Sequence, residues 1–237
     1  MATILHIETA TPICSVVLAS NKIILSEALT LEPRSHGSQL QAMVQQVLDT
    51  AGLTFHNLDA IAISKGPGSY TGLRIGVSAA KGYCYALNIP LIAINTLQAY
   101  AIHCINTLRN EQRMPEADNN LPMLFVPMID ARRMEVYTAI FNVDGVAILP
   151  TQAMILTTTS FADLLTNNNL VFFGDGATKW QTLAHTFANA FFVETPVSAV
   201  GMVQLAMDKL KAKDVENTAY FEPFYLKEFY TPASKKA

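Results

Sequence analysis

The stretch from Lys65 to Leu87, KGPGSYTGLRIGVSAAKGYCYAL, makes the tightest backbone demands in the chain. An apolar run from Asp59 to Ser64 leads into Gly66-Pro67-Gly68, so a buried strand is expected to end in a turn that needs glycine torsions. A helix should follow: Ser69 or Thr71 can cap its free amides, and Leu73, Val77, Ala80, Cys84 and Leu87 recur at helical spacing to face a core. Gly72, Gly76, Ala79 and Tyr83 form a second stripe on another face. A glycine inside a helix costs ~1 kcal/mol relative to alanine. Two of them imply close packing, and a second helix is the expected occupant.

A glycine turn ahead of a helix is also a place where an anion can sit, because free amides and the helix dipole favour negative charge there. The glycines at 66, 68 and 72 miss the G-x-G-x-x-G spacing, however, and no G-K-[ST] follows. A structural turn is therefore favoured over a nucleotide cradle.

Elements of familiar period surround this stretch. Ile4–Glu8 reads as a strand, and 15–18 with 23–29 as a hairpin turning at Ser20-Asn21-Lys22. After Pro33, the residues Leu40, Met43, Val44, Val47 and Leu48 mark an amphipathic helix that ends near Gly52. Residues 90–95 read as a further buried strand and 97–108 as a linking helix. A β-meander followed by helix, strand, helix and strand is the order of an actin-, hexokinase- or acetate-kinase-type lobe, and such lobes come in pairs across a cleft. The expected class is α/β, with mixed sheets flanked by helices in two lobes. The polar segment 109–120 is the expected boundary, giving lobes 1–108 and 109–237. In the second half, strands are expected at 123–129, at 135–141 paired with 146–149, at 170–173 and near 191–193. Helices are expected at 160–165, from the Gly174-Asp175-Gly176 turn to Phe187, and at 198–211. No internal repeat is visible in the residues.

Composition narrows the function classes. Hydrophobic residues make up 51% and charged residues 15%, a balance that suggests surface covered by a partner. A net charge of -3 gives no electrostatic basis for direct nucleic-acid contact. No apolar tract reaches the ~20 residues of a membrane span. Glu8 interrupts the first apolar run and no basic lead precedes it, so the start does not read as a secretory signal. Cys14, Cys84 and Cys104 are unpatterned and read as reduced core thiols of a cytoplasmic protein. The histidines at 6, 36, 56, 103 and 185 form no H-x-x-x-H or H-E-x-x-H pair. His36 is expected as a polar residue at the entry to a helix, and Asp175 as a turn residue capping one. Arg132 and Arg133 beside Asp130 suit either an anion contact or a turn held by local ion pairs. The tail from Tyr220 to Lys236 is aromatic and then basic, which suits docking on a lobe or on a partner.

With ILHIETATPICSVVLA, PRSHGSQL, GPGSYTGLRIGVSAAKG, INTL, IDARRMEVYTAIF and EPFYLK in view, the chain resembles the TsaB (YeaZ) family over nearly its whole length. The family usually has an aspartate where this chain has Glu8. The resemblance implies the paired-lobe fold of acetate and sugar kinases (ASKHA), and kinship with the larger catalytic subunit TsaD, long labelled a glycoprotease. That relative holds a metal beside its nucleotide with two histidines four residues apart. The matching positions here are Thr96 and Tyr100, neither of which carries an imidazole. The implied role is that of a non-catalytic, dimerising subunit with no cofactor of its own. It would support a TsaD-type subunit that transfers a threonylcarbamoyl group to the adenosine next to the anticodon of tRNAs reading codons that begin with adenosine. ATP and divalent metal would sit on partner subunits, a TsaE-type ATPase would join the assembly, tRNA would be met only through the complex, and the chain alone would be a homodimer. The expected interface is Leu40, Met43, Val44 and Val47 on the first helix with Gly72, Gly76, Ala79 and Tyr83 on the second. Glu8, Thr9, Gly66, Gly68 and Ser69 are the expected remnants of a nucleotide cleft. Two other classes remain open on the residues: a small-molecule kinase or ATP hydrolase using Thr9, Thr11 and Ser15, and a metalloprotease.

Overall fold

The computed structural model describes residues 2–31, 36–117, 120–184 and 187–227. Two five-stranded mixed sheets organise it. In the first, β1 (Thr3–Glu8) pairs antiparallel with β2 (Cys14–Ser20), which pairs with β3 (Ile23–Thr30). On its other side β1 pairs in parallel with β4 (Ala60–Gly66), followed by β5 (Leu91–Asn95). The order β3-β2-β1-β4-β5 recurs in the second sheet as β8 (Ala147–Ile155), β7 (Glu135–Phe141), β6 (Met123–Asp130), β9 (Asn169–Phe173) and β10 (Ala190–Phe192). Strand directions match as well, with a meander on one side and parallel strands on the other. One topology is thus used twice, although no repeat is visible in the residues. This is the paired-lobe arrangement expected from the order of elements.

Helices cover both faces of the first sheet. α1 (His36–Thr50) and α2 (Tyr70–Leu87) pack on the face carrying Leu5, Ile7, Val16 and Leu18. Ser69 caps α2 by accepting from the Gly72 amide at 3.2 Å, and Asn88 closes it in the left-handed conformation at φ 54°. The opposite face is covered by a 3-10 turn (Ala199–Met202) and α6 (Val203–Ala212), far along the chain. Conversely, α3 (Thr96–Asn110) lays Leu97, Tyr100, Cys104 and Ile105 on the second sheet. A division at residue 108 therefore does not separate the two cores, because each lobe borrows a helix from the other's stretch of chain.

The remaining face of the second sheet closes on Trp180, fully buried among Phe161, Phe172 and Phe192. Around it, α4 (Ala162–Leu165) and α5 (Ala177–Gln181) are short. The helix expected to run to Phe187 stops at Gln181, because Trp180 spends its bulk on the core and a series of turns follows. The thiols of Cys14, Cys84 and Cys104 are free and buried, and burial pushes each up to about 12. Among the described residues no helix is long and apolar enough to cross a membrane.

Candidate functional site

Residues after β1 and residues after β9 border a common space. A cleft of about 670 Å³ lies between the lobes, bounded by Thr11 and Ile13 after β1, Leu31 after β3, Tyr100 of α3, and Asp175 and Glu194 from the second lobe. None of the residues expected to be cleft remnants lines this cleft: Glu8, Thr9, Gly68 and Ser69 are packed at the loop after β1, and Gly66 is bonded to Thr96. Glu8 is 1% exposed. Its Oε1 accepts from the Ala10 amide at 2.5 Å, and it bonds the Ser64 hydroxyl, whose oxygen also accepts from the Thr9 amide at 3.4 Å. Burial pushes the Glu8 carboxyl up to about 7, against those two hydrogen bonds. Two residues earlier on the same face, His6 donates from Nδ1 to the Val17 carbonyl at 3.2 Å, and burial lowers it to about 4.

The glycine turn presses on the loop after β1. Ser69 donates its amide to the Ala10 carbonyl at 2.6 Å. A Cβ on Gly68 would run into the Ala10 carbonyl, one on Gly72 into the Thr9 carbonyl, and one on Gly76 into Thr9 Oγ1 and Ile63. The close approach that the helix glycines demand is therefore made by Thr9 and Ala10 of the chain's own lobe and not by a second helix. The interface with a second helix expected at Gly72 and Gly76 is thus occupied from within the lobe. His36, the first residue of α1, reinforces the same loop from the other side: its buried ring places Nε2 2.9 Å from the Thr11 carbonyl and 3.3 Å from that of Ile13.

The other expected interface residues are likewise spent inside the lobe. Leu40, Met43, Val44 and Val47 are buried against Leu5, Val16 and Leu18, because their i, i+3, i+4, i+7 spacing is the core-facing stripe of an amphipathic helix. Ala79 and Tyr83 are half-buried, and Tyr83 packs on Phe55 with its hydroxyl bonded to Gln41 of α1. What the helix pair leaves open is the outer side: Gln41, Ala42, Gln45 and Asp49 on α1, and Ser78, Gly82 and Tyr85 on α2. Tyr85 is 87% exposed, and nothing lies within 4 Å of a Cβ built on Gly82.

In the second lobe, Asp175 does not cap α5, whose N-cap Gly176 makes no side-chain bond. Its Oδ1 instead accepts from the Asp130 amide at 2.9 Å, and burial together with the Asp130 charge raises its carboxyl. Asp130 pairs with Lys179 at 2.6 Å; that lysine, and not Arg132 or Arg133, supplies the turn's ion pair. Both arginines stand at positive φ, 69° and 50°.

The two positions that match the relative's metal ligands have structural duties. Thr96 Oγ1 accepts from the Gly66 amide at 3.1 Å, and the Tyr100 hydroxyl donates to the Thr195 carbonyl at 2.5 Å. Among the described residues no group of three or more His, Cys, Asp or Glu side chains converges as a metal site. The cleft has two carboxylates at its rim, and the fully buried Glu8 carboxyl is sealed behind the β1 loop.

The family model described as TsaD, tRNA N6-adenosine threonylcarbamoyltransferase, matches residues 24–229. The tRNA threonylcarbamoyladenosine biosynthesis protein TsaB of Escherichia coli is 39% identical over 98 residues, covering 41% of this chain and 42% of that protein. The protein of the same name from Bacillus subtilis is 30% identical over 140 residues, covering 59% and 55%. The chain thus spans about half the length of the curated relatives it matches. A crystal structure from Pseudomonas aeruginosa, described as an uncharacterized protein with similarity to peptidase YeaZ, superposes with a TM-score of 0.75 at 26% identity. It covers 96% of this chain and all of that one.

Proposed function

The chain belongs to the TsaB/YeaZ family, within the wider family of tRNA N6-adenosine threonylcarbamoyltransferases, and from that premise we propose that it is a non-catalytic subunit of threonylcarbamoyladenosine synthesis on tRNA. It supports a TsaD-type subunit that transfers the threonylcarbamoyl group to the adenosine next to the anticodon, in tRNAs that read codons beginning with adenosine. The observation that carries this reading is the packing of the glycine helix on the loop after β1: Gly68 and Gly72 admit the backbone of Ala10 and Thr9, and Gly76 admits the Thr9 side chain. Thr96 and Tyr100 are tied up in hydrogen bonds where the catalytic relative has its histidines. ATP and the divalent metal then belong to the partner subunits. A TsaE-type ATPase completes the assembly, tRNA is contacted through the complex, and the setting is the cytoplasm.

The surface offered to the catalytic relative is the outer face of α1 and α2, with Gly82 letting a partner helix approach and Tyr85 supplying apolar area. A relative built on the same fold presents an equivalent helix pair, so self-pairing and partner binding compete for one surface. Depletion of the protein followed by nucleoside mass spectrometry tests the role. A fall in threonylcarbamoyladenosine is expected, and unchanged modification would overturn it.

A further inference from the structure

After α6 the chain turns back across the first lobe as a strap. The Glu216 amide donates to the Leu91 carbonyl at 2.8 Å on the edge of β5. Lys81 of α2 then holds the strap from beneath, donating to the carbonyls of Ala219 at 3.3 Å and Phe221 at 2.9 Å. At the glycine turn the Phe224 amide donates to the Lys65 carbonyl at 2.7 Å, and the Phe224 carbonyl sits 2.5 Å from where a Gly66 Cβ would be. Tyr225 packs on Tyr70 with ring centroids 5.0 Å apart and accepts from Arg74 Nε at 3.3 Å. Every one of these contacts lies on the first lobe.

Two residues further on, the strap crosses over. Lys227 Nζ pairs with the Glu135 carboxylate, at the start of β7 in the second lobe. Phe224 meanwhile borders a second interlobe cavity of about 390 Å³, opposite Phe141 and Thr151 of the second lobe. The Glu135 carbonyl accepts from Lys179 Nζ at 3.1 Å, and the same ammonium holds Asp130, whose amide is bonded by Asp175 on the wall of the larger cleft. A chain of contacts therefore runs from the strap to the cleft. Its two anchors are unequal: the first-lobe end is held by main-chain bonds and aromatic packing, and the second-lobe end by an ion pair whose lysine side chain is 48% exposed. Exposed pairs of this kind are weak and are screened by salt.

We propose that residues 214–227 form an interlobe latch, in which the Lys227–Glu135 pair fixes how far the two lobes stand apart while the base of the strap stays fastened to the first lobe. The chain joins the lobes covalently only through 95–123 and 193–199, and the latch closes the seam at the glycine turn. Releasing it lets the second lobe swing and widens the cleft.

The test uses the full chain with spin labels at Gln46→Cys on α1 and Asp163→Cys on α4, both exposed; the three native thiols are buried and stay unlabelled. Pulsed dipolar spectroscopy at low salt should give one narrow distance distribution. Lys227→Glu, or high salt on the unaltered latch, should shift it to longer and broader values, and the exchange Lys227→Glu with Glu135→Lys should restore it. Identical distributions for the parent and Lys227→Glu would overturn the latch, as would failure of the exchanged pair to restore the narrow state. Circular dichroism of each variant shows whether the fold is intact, and the exchanged pair keeps the test decisive if Lys227→Glu alone loosens the strap.

Discussion

Replacing Glu8 with glutamine isolates the cost of keeping an ionisable group sealed behind the loop after β1. The carboxyl lies with its side chain wholly buried, and burial moves it from an ordinary value of 4.5 up to about 7. A raised acid contributes stability that is fully present below its unfolded value and is lost as pH rises through its folded value. Below pH 4.5 both states hold the proton and the parent and Glu8→Gln should differ little. Between pH 4.5 and 7 the unfolded chain ionises while the folded one resists. Above pH 7 the whole difference is expressed, and the span from 4.5 to about 7 at ~1.4 kcal/mol per pH unit amounts to ~3 kcal/mol. Glutamine keeps an oxygen for the Ala10 amide and has no charge to bury. Urea unfolding followed by circular dichroism from pH 4.5 to 8.5 should therefore show Glu8→Gln gaining on the parent by up to ~3 kcal/mol as pH rises. A stability difference that stays flat across that range would refute the assignment of burial as the cause.

Gly76→Arg should abolish the folded monomer, since its Cβ alone meets Thr9 and Ile63, whereas Gly82→Arg should leave the monomer folded and weaken association ~10-fold or more. Sedimentation and partner pull-down of the two variants distinguish these outcomes. His36→Ala should lower stability by ~1–3 kcal/mol by leaving the Thr11 and Ile13 carbonyls without their buried donor, read by urea unfolding at pH 7 and by faster amide exchange over residues 9–13. Tyr100→Phe should cost ~1 kcal/mol through the Thr195 carbonyl, with no change in partner capture, as a thermal melt and a pull-down would show.

Much of the architecture is legible from period and punctuation. Leu73, Val77, Ala80 and Cys84 mark the buried face of α2, Ser69 marks its cap, and the meander-then-alternation order gives the lobe type. The error lies in which neighbour the glycines at 72 and 76 admit. Small residues on a helix report that a backbone comes close, but the same pattern serves an external helix and an internal loop, and only the fold places Thr9 against them. Leu40, Met43, Val44 and Val47 show the same limit, since an apolar stripe says that a face is covered without saying by what. His36 is legible as a polar residue at a helix entry, but its carbonyl partners are not, and Lys179 escapes notice because its partners are remote in sequence.

The doubled topology explains why one lobe closes over its carboxyl and the other does not. Glu8 and Asp130 both end the first strand of their lobe, and Gly66 ends and Gly174 directly follows the fourth strand, both at positive φ, 114° and 99°. After Gly66 comes an 18-residue helix whose glycines let it settle onto the β1 loop, so Glu8 is sealed and loses access to solvent. After Gly174 comes a five-residue helix that ends where Trp180 turns into the core, too short to cover the end of β6. Asp130 therefore keeps its charge at the surface, paired with Lys179, and Asp175 lines the open cleft. The lobe that carries the tight glycine helix has given the end of β1 to packing, and its α2 is left with an outer face free for a partner. Of the second-lobe carboxylates, Asp175 and Glu194 border the cleft, while Asp130 is spent on its pair with Lys179.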